Sequence, residues 1–250
     1  MTTTRGRVRV EVGTKRVRAM LGGRVLADSI EPRLVWEVPY YPAYYLPAEA
    51  VGGELRPTGE VKRSPSRGDG LVHDVVLDDA VAPAGALTFP ESPIEELRGL
   101  VRLDWDAMDA WFEEDVEVIV HPRDPGTRVD VLPSSRHVEI SVDGVALADS
   151  IRPTLLFETG LPKRLYLPKS DVRMDLLVPT DTTSACPYKG VARWWSVELP
   201  DGTVHPDLAW SYPAPLPESA GIDNLVAFYD ERVDVVIDGE PQDRPRTKFA

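Results

Sequence analysis

Ala27-Asp28-Ser29-Ile30 recurs as Ala148-Asp149-Ser150-Ile151, an offset of 148 − 27 = 121 residues. Held at that offset without a gap, residues 17–47 lie over residues 138–168, and 13 of the 31 positions are identical. Among them are Gly23/Gly144, Pro32/Pro153, Glu37/Glu158 and Tyr45-Leu46-Pro47/Tyr166-Leu167-Pro168. A chain that repeats itself over such a span folds as two copies of one plan, each with its own core, rather than as one large domain. The 250 residues accommodate two domains of ordinary size.

The match continues with small gaps. Ser64-Pro65-Ser66-Arg67-Gly68 lies over Cys186-Pro187-Tyr188-Lys189-Gly190, and Ala86-Leu87-Thr88-Phe89-Pro90 over Ala209-Trp210-Ser211-Tyr212-Pro213. Each copy ends on a β-branched run, Val116-Glu117-Val118-Ile119-Val120 and Val233-Asp234-Val235-Val236-Ile237. Between the copies, His121-Pro122-Arg123-Asp124-Pro125-Gly126 breaks any regular element. The boundary is expected in or just after it, giving a first copy over residues 1–130 and a second over residues 131–250.

The local pattern is β. Val8-Arg9-Val10-Glu11-Val12 and Val138-Glu139-Ile140-Ser141-Val142 alternate apolar with polar, as half-buried strands do. Gly22-Gly23 and Asp143-Gly144 suit tight hairpin turns, which need a positive φ. Residues 191–199 read as a strand closed by Pro200-Asp201-Gly202, with Thr203-Val204 starting the return. With 24 Pro and 18 Gly, few long helical runs survive. The one helical candidate is residues 106–114, where Ala107, Ala110 and Trp111 share a face and Asp104 is placed to cap. The expected class is mainly β: antiparallel strands in two tandem domains, with few short helices.

Composition narrows the partners. Against 28 basic residues stand 41 acidic ones, a net charge of −13, and no basic run appears. Such a surface repels phosphate backbones and anionic lipid, so neither nucleic acid nor membrane is expected as a partner. The amino terminus carries no apolar signal core, no stretch of about 18 apolar residues occurs, and the expectation is a soluble, cytoplasmic protein. A lone cysteine, Cys186, forms no internal disulfide and no zinc knuckle. No glycine-rich phosphate loop and no Gly-x-Ser-x-Gly elbow is present, and the four histidines lack metal spacing. No cofactor and no metal are expected.

The assembled residues resemble the DUF427 family. The likeness rests on the Ala-Asp-Ser-Ile segment, Glu158 with Tyr166-Leu167-Pro168, Asp171-Val172-Arg173-Met174-Asp175, Cys186-Pro187-Tyr188-Lys189-Gly190, Trp194-Trp195, Trp210-Ser211-Tyr212 and Phe228-Tyr229. It spans nearly all of the second copy and is looser in the first. The resemblance implies a β-tent-like fold, two sheets meeting at an angle, similar in outline to methionine sulfoxide reductase B and the ligand-binding domain of cereblon. Those relatives usually carry a zinc site of paired cysteines, which this chain lacks. The family label is sometimes attached to nucleotidyltransferases, but no Gly-Ser followed by paired metal-binding aspartates occurs here.

Three sets of residues are candidates for chemistry. Cys186 is a nucleophile if a cation lowers its pKa, and Lys189, three residues on in a turn, is placed to do so; otherwise it is a small buried hydrophobe. Glu158, like Glu37, follows an apolar run, and serves either as a buried general acid or base or in a salt bridge. The rings Tyr166, Tyr188, Trp194, Trp195, Trp210 and Tyr212 suit an aromatic binding pocket or simply a core. On a strand Trp194 and Trp195 face opposite ways, so at most one reaches a given pocket. The first copy has Ser64, Ser66, Val72, His73, Leu87 and Phe89 at the positions of Cys186, Tyr188, Trp194, Trp195, Trp210 and Tyr212. A site is therefore expected in the second copy. Three functions stay open: a module binding a small molecule or peptide, an enzyme with Cys186 as nucleophile assisted by Lys189 and Glu158, and a structural protein that self-associates into a homo-oligomer.

Overall fold

The computed structural model of the chain describes residues 2–5 and 8–247. The chain divides into two compact units, residues 1–124 and 125–250, the division falling inside the breaker cluster.

In the first unit a large sheet runs, in spatial order, Thr2–Arg5, Val8–Val12, Arg33–Trp36, Ala43–Pro47, Leu100–Leu103, Ala80–Thr88, Gly68–Leu77 and Glu54–Ser64. A small sheet runs Val116–Val118, Ala110–Glu113, Val17–Leu21 and Arg24–Ser29. The second unit repeats the order. Its large sheet is Val129–Pro133, Thr154–Glu158, Arg164–Leu167, Val226–Phe228, Val204–Ser211, Gly190–Glu198 and Leu177–Cys186. Its small sheet is Val145–Ser150, Val138–Val142, Asp234–Ile237 and Glu240–Pro241. Neighbouring strands pair antiparallel throughout, and the helical elements among the described residues are short 3₁₀ turns. The chain is mainly β, as its pattern implies, and no described helix is long and apolar enough to cross a membrane.

Each large sheet buries both faces. In the second unit, Leu165 and Leu167 point to the small sheet and join Ile140, Leu147 and Val235, while Tyr166 between them points the other way, to Leu156, Trp194, Trp210 and Tyr212. The first unit repeats this with Leu46 on one face and Tyr45 on the other. Period-2 alternation therefore selects between two cores instead of between core and solvent.

The turns follow their glycines. Gly22 and Gly23 have φ of 60° and 70°, Asp143 and Gly144 of 50° and 78°, as two-residue hairpins require. The Ala-Asp-Ser-Ile segment has the same job in both copies. Ala27 and Ala148 are buried, and Ser29 Oγ and Ser150 Oγ accept from the backbone N–H of Glu31 and Arg152, closing the strand's end.

Residues 106–114 are not helical. A turn leads into the strand Ala110–Glu113, which pairs with Val17–Leu21 and Val116–Val118. Trp111 and Glu113 are buried and Phe112 between them is not, a strand's period in place of a helix's. Asp104 does cap, its carboxylate accepting from Asp106 N–H at 3.2 Å, but it closes a turn. The edge strand after it covers Val116–Val118 only, shorter than the β-branched run suggests.

Candidate functional site

Tyr166 lies in the strand Arg164–Leu167, Glu158 ends the strand Thr154–Glu158, and Tyr212 follows the strand Val204–Ser211. Cys186 and Lys189 sit at the turn joining Leu177–Cys186 to Gly190–Glu198, where Lys189 N–H donates to the Cys186 carbonyl at 3.3 Å. Gly190 holds φ of 100°, and a Cβ there would stand 3.1 Å from the Ala214 carbonyl oxygen, so the tip of this hairpin requires glycine.

These elements bring Glu158, Lys189, Cys186, Tyr166 and Tyr212 into one charge cluster beside the outward-facing core of the large sheet. Lys189 Nζ donates to Glu158 Oε2, and the two side chains are only 12% and 10% exposed. Burial works to lower the Lys189 pKa, but the Coulombic influence of Cys186 and of Glu158 and the hydrogen bond to Glu158 outweigh it, so the ammonium sits above the ordinary lysine value. Tyr166 is pushed up to about 12, first by burial, against the pull of its Trp210 hydrogen bond and the Lys189 charge. Tyr212 is raised too, by burial first and then by Tyr166, Cys186 and Glu158. Both phenols are neutral donors at physiological pH. Cys186 itself is half-buried and in no disulfide.

The first unit carries the same constellation in other residues. Glu37 Oε1 accepts from Tyr45 OH at 2.7 Å, pairs with Arg67 at 2.7 Å and accepts from Arg102 Nε at 2.9 Å. Arg67 Nε donates to Ser64 Oγ at 3.3 Å and its guanidinium lies over Phe89, 5.1 Å from the ring centroid. Glutamate, cation and tyrosine are thus common to both copies; the thiol, the lysine and the Tyr212 hydroxyl belong to the second alone.

The rings divide between the two faces. Trp194 packs on Trp210 with centroids 5.1 Å apart, and both lean on Tyr229 at 5.4 and 5.0 Å. Trp210 Nε1 donates to Tyr166 OH at 3.2 Å and Trp194 Nε1 to Ser184 Oγ at 3.0 Å. Tyr166, Trp194, Trp210 and Tyr212 all belong to one buried group, with half-buried Tyr229 at its edge. Trp195 faces the other way, packs against the inter-sheet core and lies under Lys169 Nζ at 5.7 Å. Tyr188 is half-buried, and its carbonyl accepts from Ser219 Oγ at 3.0 Å.

Sequence reading passed over a second buried charge group. Arg164 donates both Nη atoms to Glu231 at 2.7 and 2.6 Å, stands 3.7 Å from Asp230, and lies over Trp210 and Tyr229. No local signal marks it, because charged residues such as Asp230-Glu231-Arg232 at the end of an apolar strand are ordinarily solvated.

His137, Glu139 and Asp149 lie close enough to share a cation. Glu139 and Asp149 are exposed, however, and His137 Nε2 is 2.7 Å from Asp149 Oδ1, while at the corresponding positions of the first unit Arg16 pairs with Asp28. The cluster is a cross-strand ion pair with one acidic neighbour. His205 pairs with Asp143 at 3.0 Å, His73 bonds Thr88 Oγ1 at 2.9 Å, and His121 stacks on Tyr41 at 3.9 Å. Asp171 pairs with Arg152 and Asp175 with Arg173, both on the surface side of short 3₁₀ turns.

A profile of a family described as a domain of unknown function, DUF427, matches residues 9–114 and again residues 130–239. A comparison with curated proteins finds no match.

Proposed function

The chain belongs to the DUF427 family, in two tandem copies, and from that premise we propose that the second copy is the working one, a small-molecule site in which the Cys186 thiol is the reacting group. One observation carries the reading: the chain's single thiol lies within electrostatic reach of a buried Lys189–Glu158 pair and two neutral phenols. A thiol is intrinsically the most nucleophilic of the ordinary side chains, and the Lys189 ammonium offers a countercharge to an anion that forms on the ligand. Glu158 fixes the lysine, and Tyr166 and Tyr212 offer hydrogen-bond donors to an oxygen of an electrophilic ligand. The first copy, with Ser64, Arg67 and Phe89 at these positions, keeps the ion pair as a structural clamp.

The test is the alkylation rate of Cys186 by iodoacetamide from pH 5 to 9, native against urea-denatured. The expected result is a native rate above that of the denatured chain, and a loss of that excess in the Glu158→Gln/Lys189→Met double variant, which removes the cation without leaving a buried charge unpaired. A native thiol that stays inert while the denatured one reacts would sink the proposal.

A second reading, non-covalent binding against an aromatic wall, is supported by Tyr229, the half-buried edge of the Trp194–Trp210 group, with Arg164 beside it. It predicts that Cys186→Ser keeps ligand affinity while Trp210→Ala loses it.

A further inference from the structure

The two units differ most sharply on the inner side of the large sheet. In the first, Trp105 and Trp111 stack face to face with centroids 5.1 Å apart and an interplanar angle of 3°, and Tyr44 leans on both at 6.3 and 5.6 Å. The three rings fill the space between the sheets.

Strand register identifies their counterparts. Tyr44 lies 121 residues before Leu165, since 44 + 121 = 165. Trp111 pairs with Ala19 and Val235 with Ile140, the residue 121 places after Ala19. Leu103 pairs with Ala86 and Phe228 with Ala209, which correspond between the copies; Trp105 and Asp230 each stand two residues further on. Leu165, Asp230 and Val235 therefore replace Tyr44, Trp105 and Trp111.

Where the rings are lost, a cavity of about 290 Å³ opens, lined by Leu165, Asp230, Val233, Val235, Ile237 and Pro245. It is near the lower end of the roughly 300–1,000 Å³ typical of small-molecule sites. One wall is unusual. Asp230 is 8% exposed and its Oδ1 is buried with no hydrogen-bond partner among the described residues. Arg164, 3.7 Å from the other oxygen, is committed to Glu231 through both nitrogens. Leucine and valine in place of Tyr44 and Trp111 leave room, and a carboxylate in place of Trp105 adds an acceptor to the wall.

We propose that this cavity binds a small organic ammonium compound, its apolar body against Leu165, Val233, Val235 and Ile237 and its ammonium group on Asp230. Among the described lining residues the charge agrees, Asp230 and Asp243 standing against Lys163. Burial raises the Asp230 carboxyl to about 7, with Arg164 opposing, Glu231 reinforcing and Lys163 opposing. The bound ammonium competes with that proton, so affinity falls as pH drops through this range, by up to about tenfold per pH unit.

The test uses the full chain at pH 8, titrated calorimetrically with butylammonium, phenethylammonium and tryptamine, and with 3-phenylpropionate as the anion of matched body. We expect saturable binding of at least one ammonium and none of the anion. Asp230→Asn should weaken it tenfold or more, and Val235→Trp, which rebuilds a first-unit ring, should abolish it; both variants are checked for native near-ultraviolet dichroism. Cys186→Ser should leave binding unchanged, which separates this site from the thiol proposal. No saturable binding of any of the three up to millimolar concentration, equal binding of the anion, or a folded Asp230→Asn variant with unchanged affinity would each overturn it.

Discussion

At the scale of single residues, the second unit's character lies in where it places charge. Lys189 and Glu158 are nearly out of water, and such a pair does little for stability against an apolar substitute but costs heavily when half of it is removed. Glu158→Gln and Lys189→Met should each destabilise the unit by about 3 kcal/mol, while the double variant costs clearly less than the sum. Urea unfolding of the four proteins gives the coupling; additive effects would mean that the two groups do not depend on each other. Glu158 and Lys189 were both legible as site candidates, and both have counterparts, Glu37 and Arg67, in the first copy, but that the two pair directly is decided by the fold. Asp230 was not legible in this way. Its counterpart is Trp105, and nothing local tells a reader that the two stand at the same place beyond equivalent strands.

At the scale of elements, the hairpin from Leu177 to Glu198 shows what local chemistry decides. Ser64 pairs with Gly68 and Cys186 with Gly190, the same register in each copy, with both glycines at positive φ. Gly190→Ala adds backbone strain and a close approach to the Ala214 carbonyl, and should cost about 1–3 kcal/mol. Gly144→Ala, with φ of 78° but open space around its Cβ, should cost less, about 1 kcal/mol. Thermal unfolding of the two variants ranks them, and the reverse order would show that the close approach is relieved at no cost. Residues 106–114 mark the limit of element-level reading. Ala107, Ala110 and Trp111 satisfy a helical spacing, yet the long-range pairing of Trp111 with Ala19 and the burial of Glu113 against Lys15 and Tyr44 win. Partners 69 to 98 residues away in the chain do not appear in a local window.

At the scale of the whole molecule, each unit has its own pair of sheets and a core on both faces of the larger one. A chain of residues 125–250 expressed alone should fold cooperatively and keep near-ultraviolet dichroism from its tryptophans; a broad, non-cooperative urea transition would show that the second unit needs the first. The duplication, the β class and the hairpin turns were set by the sequence alone, because identity at a fixed offset, period-2 alternation and positive-φ glycines act over a few residues. The same holds for the expectation that Trp194 and Trp195 diverge. Only tertiary structure decided that both divergent faces are buried, that Tyr166, Trp194, Trp210 and Tyr212 pack on one another, and that Leu165, Asp230 and Val235 stand where the first copy stacks three rings. Each of these depends on which strands lie side by side, and strand order is a property of pairings between distant segments that no stretch of sequence encodes by itself.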